Sequence, residues 1–194
     1  MNLIGEVTES LSGGFADAPV QSARAFREIL QAMARPGTIY RVAGAQPPVP
    51  LSIAAGVVLL TLCDGTTPLH LAGAADCAPV RDWIAFHIAA PLVRAAEATF
   101  ALGRWDDLQP VSRFRIGQPD YPDRAATLIV EQDRLTGHGP TLTGPGIETA
   151  IWLSLPETAA FRANRAQFPL GFDTIFTSGD RIAALPRSTR VEAI

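Results

Sequence analysis

FPLGFDTIFTSGDRIAALPRSTRV, residues 168–191, decides the fold of this chain. Two short apolar and β-branched runs, Phe172–Thr177 and Ile182–Leu185, flank a Ser178-Gly179-Asp180 turn. That is the pattern of a tight antiparallel hairpin. Pro186 has no N–H to give a ladder, so the second strand must end there and hand the chain to Arg187. A strand pair ending in this way needs a sheet to join and helices to cover it.

The rest of the chain supplies both. Asp17 can cap a helix from Pro19 to Ala34, with Ala23, Phe26, Leu30 and Met33 as its apolar face, and Pro36-Gly37 ends it. Residues 38–42 read as a strand. The run 52–63 is apolar nearly all round, which suits a helix buried on most sides. Asp64-Gly65 is a turn, 68–71 a short strand, and 79–89 a helix carrying Val80, Trp83, Ile84, His87 and Ile88, with Pro91 just beyond. Further strands are expected at 98–102, at 125–131 paired with 140–143, and at 149–155, with a last helix opened by Pro156-Glu157. Residues 103–124 have no clean period and read as a surface excursion, and residues 1–16 as a flexible N-terminal arm. With no repeat and no linker, 17–194 reads as a single α/β domain with a mixed sheet.

Composition removes whole classes of function. All 16 basic residues are arginine. Without lysine there is no Schiff base to pyridoxal phosphate or a carbonyl substrate, and no Walker A loop. Cys63 and Cys77 form no CxxC pair, so neither a zinc ribbon nor an iron–sulfur cluster is expected, and both read as small hydrophobes. His70 and His138 have no ligand spacing, so no metal is expected. A net charge of −3 offers no electrostatic footprint for nucleic acid. The longest apolar run falls short of a membrane span. A start with acidic residues and no basic segment is not that of a secretory signal, so the expected location is cytoplasmic.

Few residues stand out as chemical. LTGPGI at 142–147 could approach a phosphate through its glycines, but it is not GxGxxG and no strong helix follows, so a structural turn is favoured. Asp64 and His87 are the catalytic candidates. Against them stand an Asp-Gly turn and a hydrogen-bonded histidine packed among apolar neighbours. Arg162, Arg165, Arg181, Arg187 and Arg190 give the C-terminal region an excess of guanidinium forks, suited to phosphate, phosphonate or a partner's carboxylates. A solvated, salt-bridged surface is the plainer explanation for most of them. Arg187, held by Pro186, is the exception.

Several stretches together resemble one family. They are FREILQAMARPG at 26–37, LLTLCDGTTP at 59–68, FHIAAPL at 86–92, ATFAL at 98–102, LTGPGI, FPLGFDTIF at 168–176 and LPRSTRV at 185–191. The likeness, from about Asp17 to Ile194 and weakest across 103–124, is to the PhnH subunits of the bacterial carbon–phosphorus lyase system. Asp64, Pro68, His87, Pro91, Gly144, Gly146, Gly171, Asp173 and Arg187 fall on the family pattern; Cys63, Cys77, His70 and His138 do not.

The resemblance implies an α/β/α fold like the large domain of pyridoxal-phosphate-dependent transferases, without the cofactor site. It implies a homodimer within a core complex of other carbon–phosphorus lyase subunits. With a cassette-type partner, that complex replaces the adenine of ATP by an alkylphosphonate, giving ribose 1-alkylphosphonate 5-triphosphate. ATP, S-adenosylmethionine and the iron–sulfur cluster of the later radical step belong to the complex, and this chain is expected to bind no cofactor. Substrate contact, where this subunit makes it, is expected at Arg187 and Asp173. The alternative is a stand-alone nucleotide- or phosphonate-binding transferase using Asp64, His87 and Arg187.

Overall fold

The computed structural model describes residues 12–192. Its helices are α1 (Ala18–Ala34), α2 (Ile53–Leu62), α3 (Ala78–His87) and α4 (Ala159–Ala166). Its strands are β1 (Tyr40–Arg41), β2 (Leu69–Leu71), β3 (Phe100–Arg104), β4 (Ile116–Gln118), β5 (Tyr121–Ala125), β6 (Thr127–Glu131), β7 (Thr141–Thr143), β8 (Ile151–Trp152), β9 (Asp173–Ser178), β10 (Arg181–Leu185) and β11 (Arg190–Glu192).

Six strands form a mixed sheet in the order β1-β10-β9-β6-β3-β2. The run β9, β6, β3, β2 is parallel, while β10 and β1 add on antiparallel. The C-terminal hairpin sits in this sheet as expected, with Ser178 opposite Arg181 across Gly179-Asp180. Gly179 at φ +57° supplies the left-handed first turn position. The turn is tied down by Ala54, whose N–H donates to Gly179 O at 2.8 Å.

Alternation along the strands feeds two cores. Leu69, Leu71, Leu102, Ile129, Ile175, Ile182 and Ala184 face α1, α2 and α3. Ala101, Leu128, Val130, Phe176, Ala183 and Leu185 face α4 and a smaller antiparallel sheet, β11-β7-β8. The third layer is thus part helix and part sheet. α2 is buried without a break from Ala54 to Leu59, which explains its apolar circumference. Asp17 caps α1 as expected, its side chain accepting from the Val20 N–H at 3.4 Å.

The buried face of α1 differs from the expectation. Ala25, Ile29 and Ala32 are inside, whereas Phe26 and Leu30 are 49% and 52% exposed. The helix carries two apolar stripes, and the one with alanines wins the core because small side chains let it approach α2 and β10 closely. The larger stripe is left facing outward beside Phe15 and Leu60.

Two other expectations are corrected. β6 does not pair with 140–143; it lies between β3 and β9, while β7 pairs with β8 and β11. A strand buried on both faces fits the interior of a parallel sheet, not one arm of a meander. Residues 103–124 are no plain surface excursion either. They hold the end of β3, an antiparallel β4–β5 hairpin, and the buried side chains of Trp105, Leu108 and Phe114. Their lack of period reflects short elements anchored by single large residues.

Of the expected N-terminal arm, residues 1–11 lie outside the described residues. Ser12 is in contact with α3, its carbonyl accepting from Trp83 Nε1 at 3.1 Å. No helix among the described residues is long and apolar enough to cross a membrane.

Candidate functional site

Four of the quoted stretches meet in space. Met33 and Ala34 end α1, Pro145 and Gly146 follow β7, Phe168 and Pro169 follow α4, and Pro186, Arg187 and Ser188 lead from β10 to β11. With Pro122, Asp123 and Asp173 they line an open, largely apolar groove of 540 Å³. LTGPGI is here a turn. Gly146 has φ +82°, and a Cβ on it would sit 2.0 Å from Ala34 O, so only glycine lets this turn close on the end of α1.

Arg187 is the pivot of the groove. Its backbone N–H donates to Asp173 Oδ1 at 2.8 Å, and its Nε to both carboxylate oxygens at 3.1 and 3.2 Å. Nη2 donates to Asp173 Oδ2, and Nη1 to Pro122 O at 2.7 Å. The side chains are 13% and 18% exposed. A pair so enclosed binds the start of β9, the β4–β5 hairpin and the exit of β10 into one unit. The two expected substrate-binding residues are therefore each other's partners. One N–H on each terminal nitrogen of Arg187 has no partner among the described residues, and the guanidinium lines the groove.

Behind it, Asn164 is buried and imitates a strand. Its Nδ2 donates to Phe172 O at 2.8 Å, and its Oδ1 accepts from the Phe172 N–H at 2.9 Å. This fixes α4 against the segment leading to β9. Gly171, at φ +121°, is excluded from any larger residue by that amide, since a Cβ would lie 2.5 Å from Asn164 Oδ1.

The catalytic candidates lie elsewhere. Asp64 is exposed after α2 and closes a polar turn, accepting from the Thr66 N–H at 2.8 Å, the Thr66 hydroxyl at 2.7 Å and the Thr67 hydroxyl at 2.9 Å. The Thr66 hydroxyl, first among these donors, holds its carboxyl below the ordinary value, so it stays ionised. His87 ends α3 between Trp83 and Phe86, its Nε2 3.2 Å from Ser12 O. Asp64 and His87 are brought to the same edge, because Gly65 lies beside Ala89. Arg187 is not brought there. Asp173, its partner, begins β9, three strand steps from β2 or roughly 14 Å across the sheet.

A half-buried carboxyl was missed. Glu131 ends β6 and accepts from the Ser52 N–H at 2.7 Å and the Thr177 hydroxyl at 3.0 Å, tying the first turn of α2 to the sheet. Burial is the main cause of its raised pKa, only partly offset by these donors. It shares the face of Ile129 by strand alternation, and that was the available signal. It borders a smaller, partly open cavity of 190 Å³ at the carboxyl ends of β3 and β6, where Arg104 pairs with Asp133 at 2.9 and 3.0 Å. Cys63, capping α2 from inside the core, has its thiol pushed up to about 12 by burial.

Comparison with known proteins adds what geometry cannot. A family model described as "Bacterial phosphonate metabolism protein (PhnH)" matches residues 13–192. The chain is 39% identical over 190 residues to "Alpha-D-ribose 1-methylphosphonate 5-triphosphate synthase subunit PhnH" of Rhizobium meliloti (strain 1021), covering 93% of this chain and 95% of that protein. It is also 31% identical over 201 residues to "Putative C-P lyase subunit protein HtxG" of Stutzerimonas stutzeri, covering 92% and 94%.

Proposed function

The chain belongs to the PhnH family of bacterial phosphonate metabolism proteins, and from that membership we propose that it is a subunit of a carbon–phosphorus lyase core complex. Its role there is to support formation of ribose 1-alkylphosphonate 5-triphosphate from ATP and an alkylphosphonate. The observation that carries this reading is the match across nearly the whole chain to a relative named as a subunit of such a synthase.

The structure supports a role in assembly more than in chemistry. Asp64, His87 and Arg187, the set a stand-alone transferase would use, fall at two separated places. Arg187 and Asp173 satisfy one another, which suits a clamp; the uncommitted N–H groups of Arg187 leave room for contact with a phosphonate oxygen at the groove. The Phe26 and Leu30 stripe is an apolar surface of the kind that partner subunits cover. A homodimer, cytoplasmic residence and a likeness to the pyridoxal-phosphate transferase fold without its cofactor site complete the reading, on the strength of the family resemblance.

The test is genetic. A bacterium deleted for its own PhnH subunit is supplied with this chain and grown on methylphosphonate as the phosphorus source. Restored growth is the expected result. Failure to restore it, with the chain expressed and folded, overturns the proposal.

A further inference from the structure

Five of the 16 arginines form ion pairs among the described residues, and three of the others gather at one place. Arg41, Arg81, Arg94, Arg104 and Arg187 each face a carboxylate within ion-pair distance. Arg162, Arg165 and Arg190 do not; with Ala166 and Val191 they line one depression of 310 Å³ where α4 packs on β11. Arg162 and Arg165 stand three apart on α4 and so share a face, and Arg190 opens the strand beneath them.

Arg165 is held in place. Its Nε donates to Ser188 O at 3.0 Å, and its guanidinium lies over the Phe168 ring, 4.9 Å from the centroid. Its terminal N–H groups have no hydrogen-bond partner among the described residues. The side chains of Arg162 and Arg190 have no hydrogen-bond or ion-pair partner among the described residues. Glu192 follows two places after Arg190 on the same face of β11, yet it makes no ion pair with it and does not line the depression.

Favourable interaction with the carboxyl end of α4 accounts for Arg165 in its last turn, but not for Arg190 on a strand. Three like charges that no carboxylate pairs with among the described residues repel one another, and a multiply charged anion relieves that repulsion. Guanidinium forks match phosphate oxygens, and three of them exceed what one phosphate needs.

We propose that Arg162, Arg165 and Arg190 form a binding site for a triphosphate group, whether free or carried by a nucleotide. The site adjoins the apolar groove through Phe168 and Ser188, which line that groove while contacting Arg165. It stands independently of the subunit assignment, because the isolated chain can bind triphosphate whether or not it assembles.

The experiment is calorimetric titration of the full chain with inorganic tripolyphosphate and, separately, with ATP, at about 0.15 M salt where weak surface attraction is largely screened. Saturable binding of tripolyphosphate, weakened about tenfold or more in R162Q/R190Q with an unchanged melting curve, is the expected result. Equal affinity for ATP identifies the phosphate chain as the recognised part; tighter ATP binding extends the site toward Phe168. The single variants R162Q and R190Q, each removing one exposed charge, should show intermediate losses. Absence of saturable binding, or binding undiminished in R162Q/R190Q, overturns the proposal. That holds even where those variants lose a partner subunit, which would assign the patch to an acidic protein surface.

Discussion

Arg187 grips Asp173 with its backbone N–H and its guanidinium at once, at the point where the chain leaves the main sheet for the smaller one. The same arginine reaches Pro122 O on the β4–β5 hairpin. Three segments remote in sequence therefore depend on one ion pair.

Removing either partner strands a largely enclosed charge. Arg187→Ala and Asp173→Ala should each destabilise the fold by about 3 kcal/mol, read from denaturant midpoints. The double variant should lose markedly less than the sum of the two, because neither charge is then left alone. Additive losses would mean that the pair is not a clamp.

The Asn164 amide makes a comparable demand. Asn164→Leu leaves the buried Phe172 N–H and C=O without partners and should cost about 2 kcal/mol or more. Gly171→Ala attacks the same contact by steric conflict and positive φ, so it should also destabilise. If both variants melt like the parent, the tie between α4 and β9 is unimportant.

Glu131 sets a pH dependence of unusual sign for a carboxyl. Its folded pKa is raised above the ordinary value of 4.5, so the folded state holds the proton more tightly than the unfolded chain. Its contribution is fully present below the unfolded pKa and is lost as pH rises through the folded one. Glu131→Gln keeps an acceptor for the Ser52 N–H and should flatten that loss. The difference in stability between parent and variant, followed upward from pH 4.5, should shift in favour of the variant. A difference constant with pH contradicts the assignment.

Cys63 should be inert in the folded protein. With its thiol pushed up to about 12 and its side chain in the core, little thiolate is available near neutral pH. In a Cys77→Ser background, iodoacetamide should modify Cys63 only after denaturation. Rapid labelling of the native protein would show that α2 opens readily.

Sequence carried the hairpin, the all-apolar α2 and the Asp17 cap, since each follows from local pattern and turn chemistry. It did not carry the neighbours of β6. A run such as TLIVE records burial on both faces but not which strands provide it. Nor could it choose between the two stripes of α1, because that choice rests on how closely Ala25 and Ala32 let other backbones approach. Arg187 and Asp173 were both visible as residues of interest. Their mutual pairing was not, because fourteen residues, the whole of the β9–β10 hairpin, separate them. Asn164 and Glu131 escaped notice for the same reason: a lone polar residue in an apolar setting shows its purpose only when the partner backbone is in place.

The most direct test of the subunit assignment is co-expression of the tagged chain with the remaining carbon–phosphorus lyase core subunits, followed by affinity capture and sizing. A stoichiometric complex is expected, and its loss in Phe26→Glu/Leu30→Glu with the fold of the chain intact. A chain that elutes free of the other subunits, under conditions where they assemble among themselves, would contradict it.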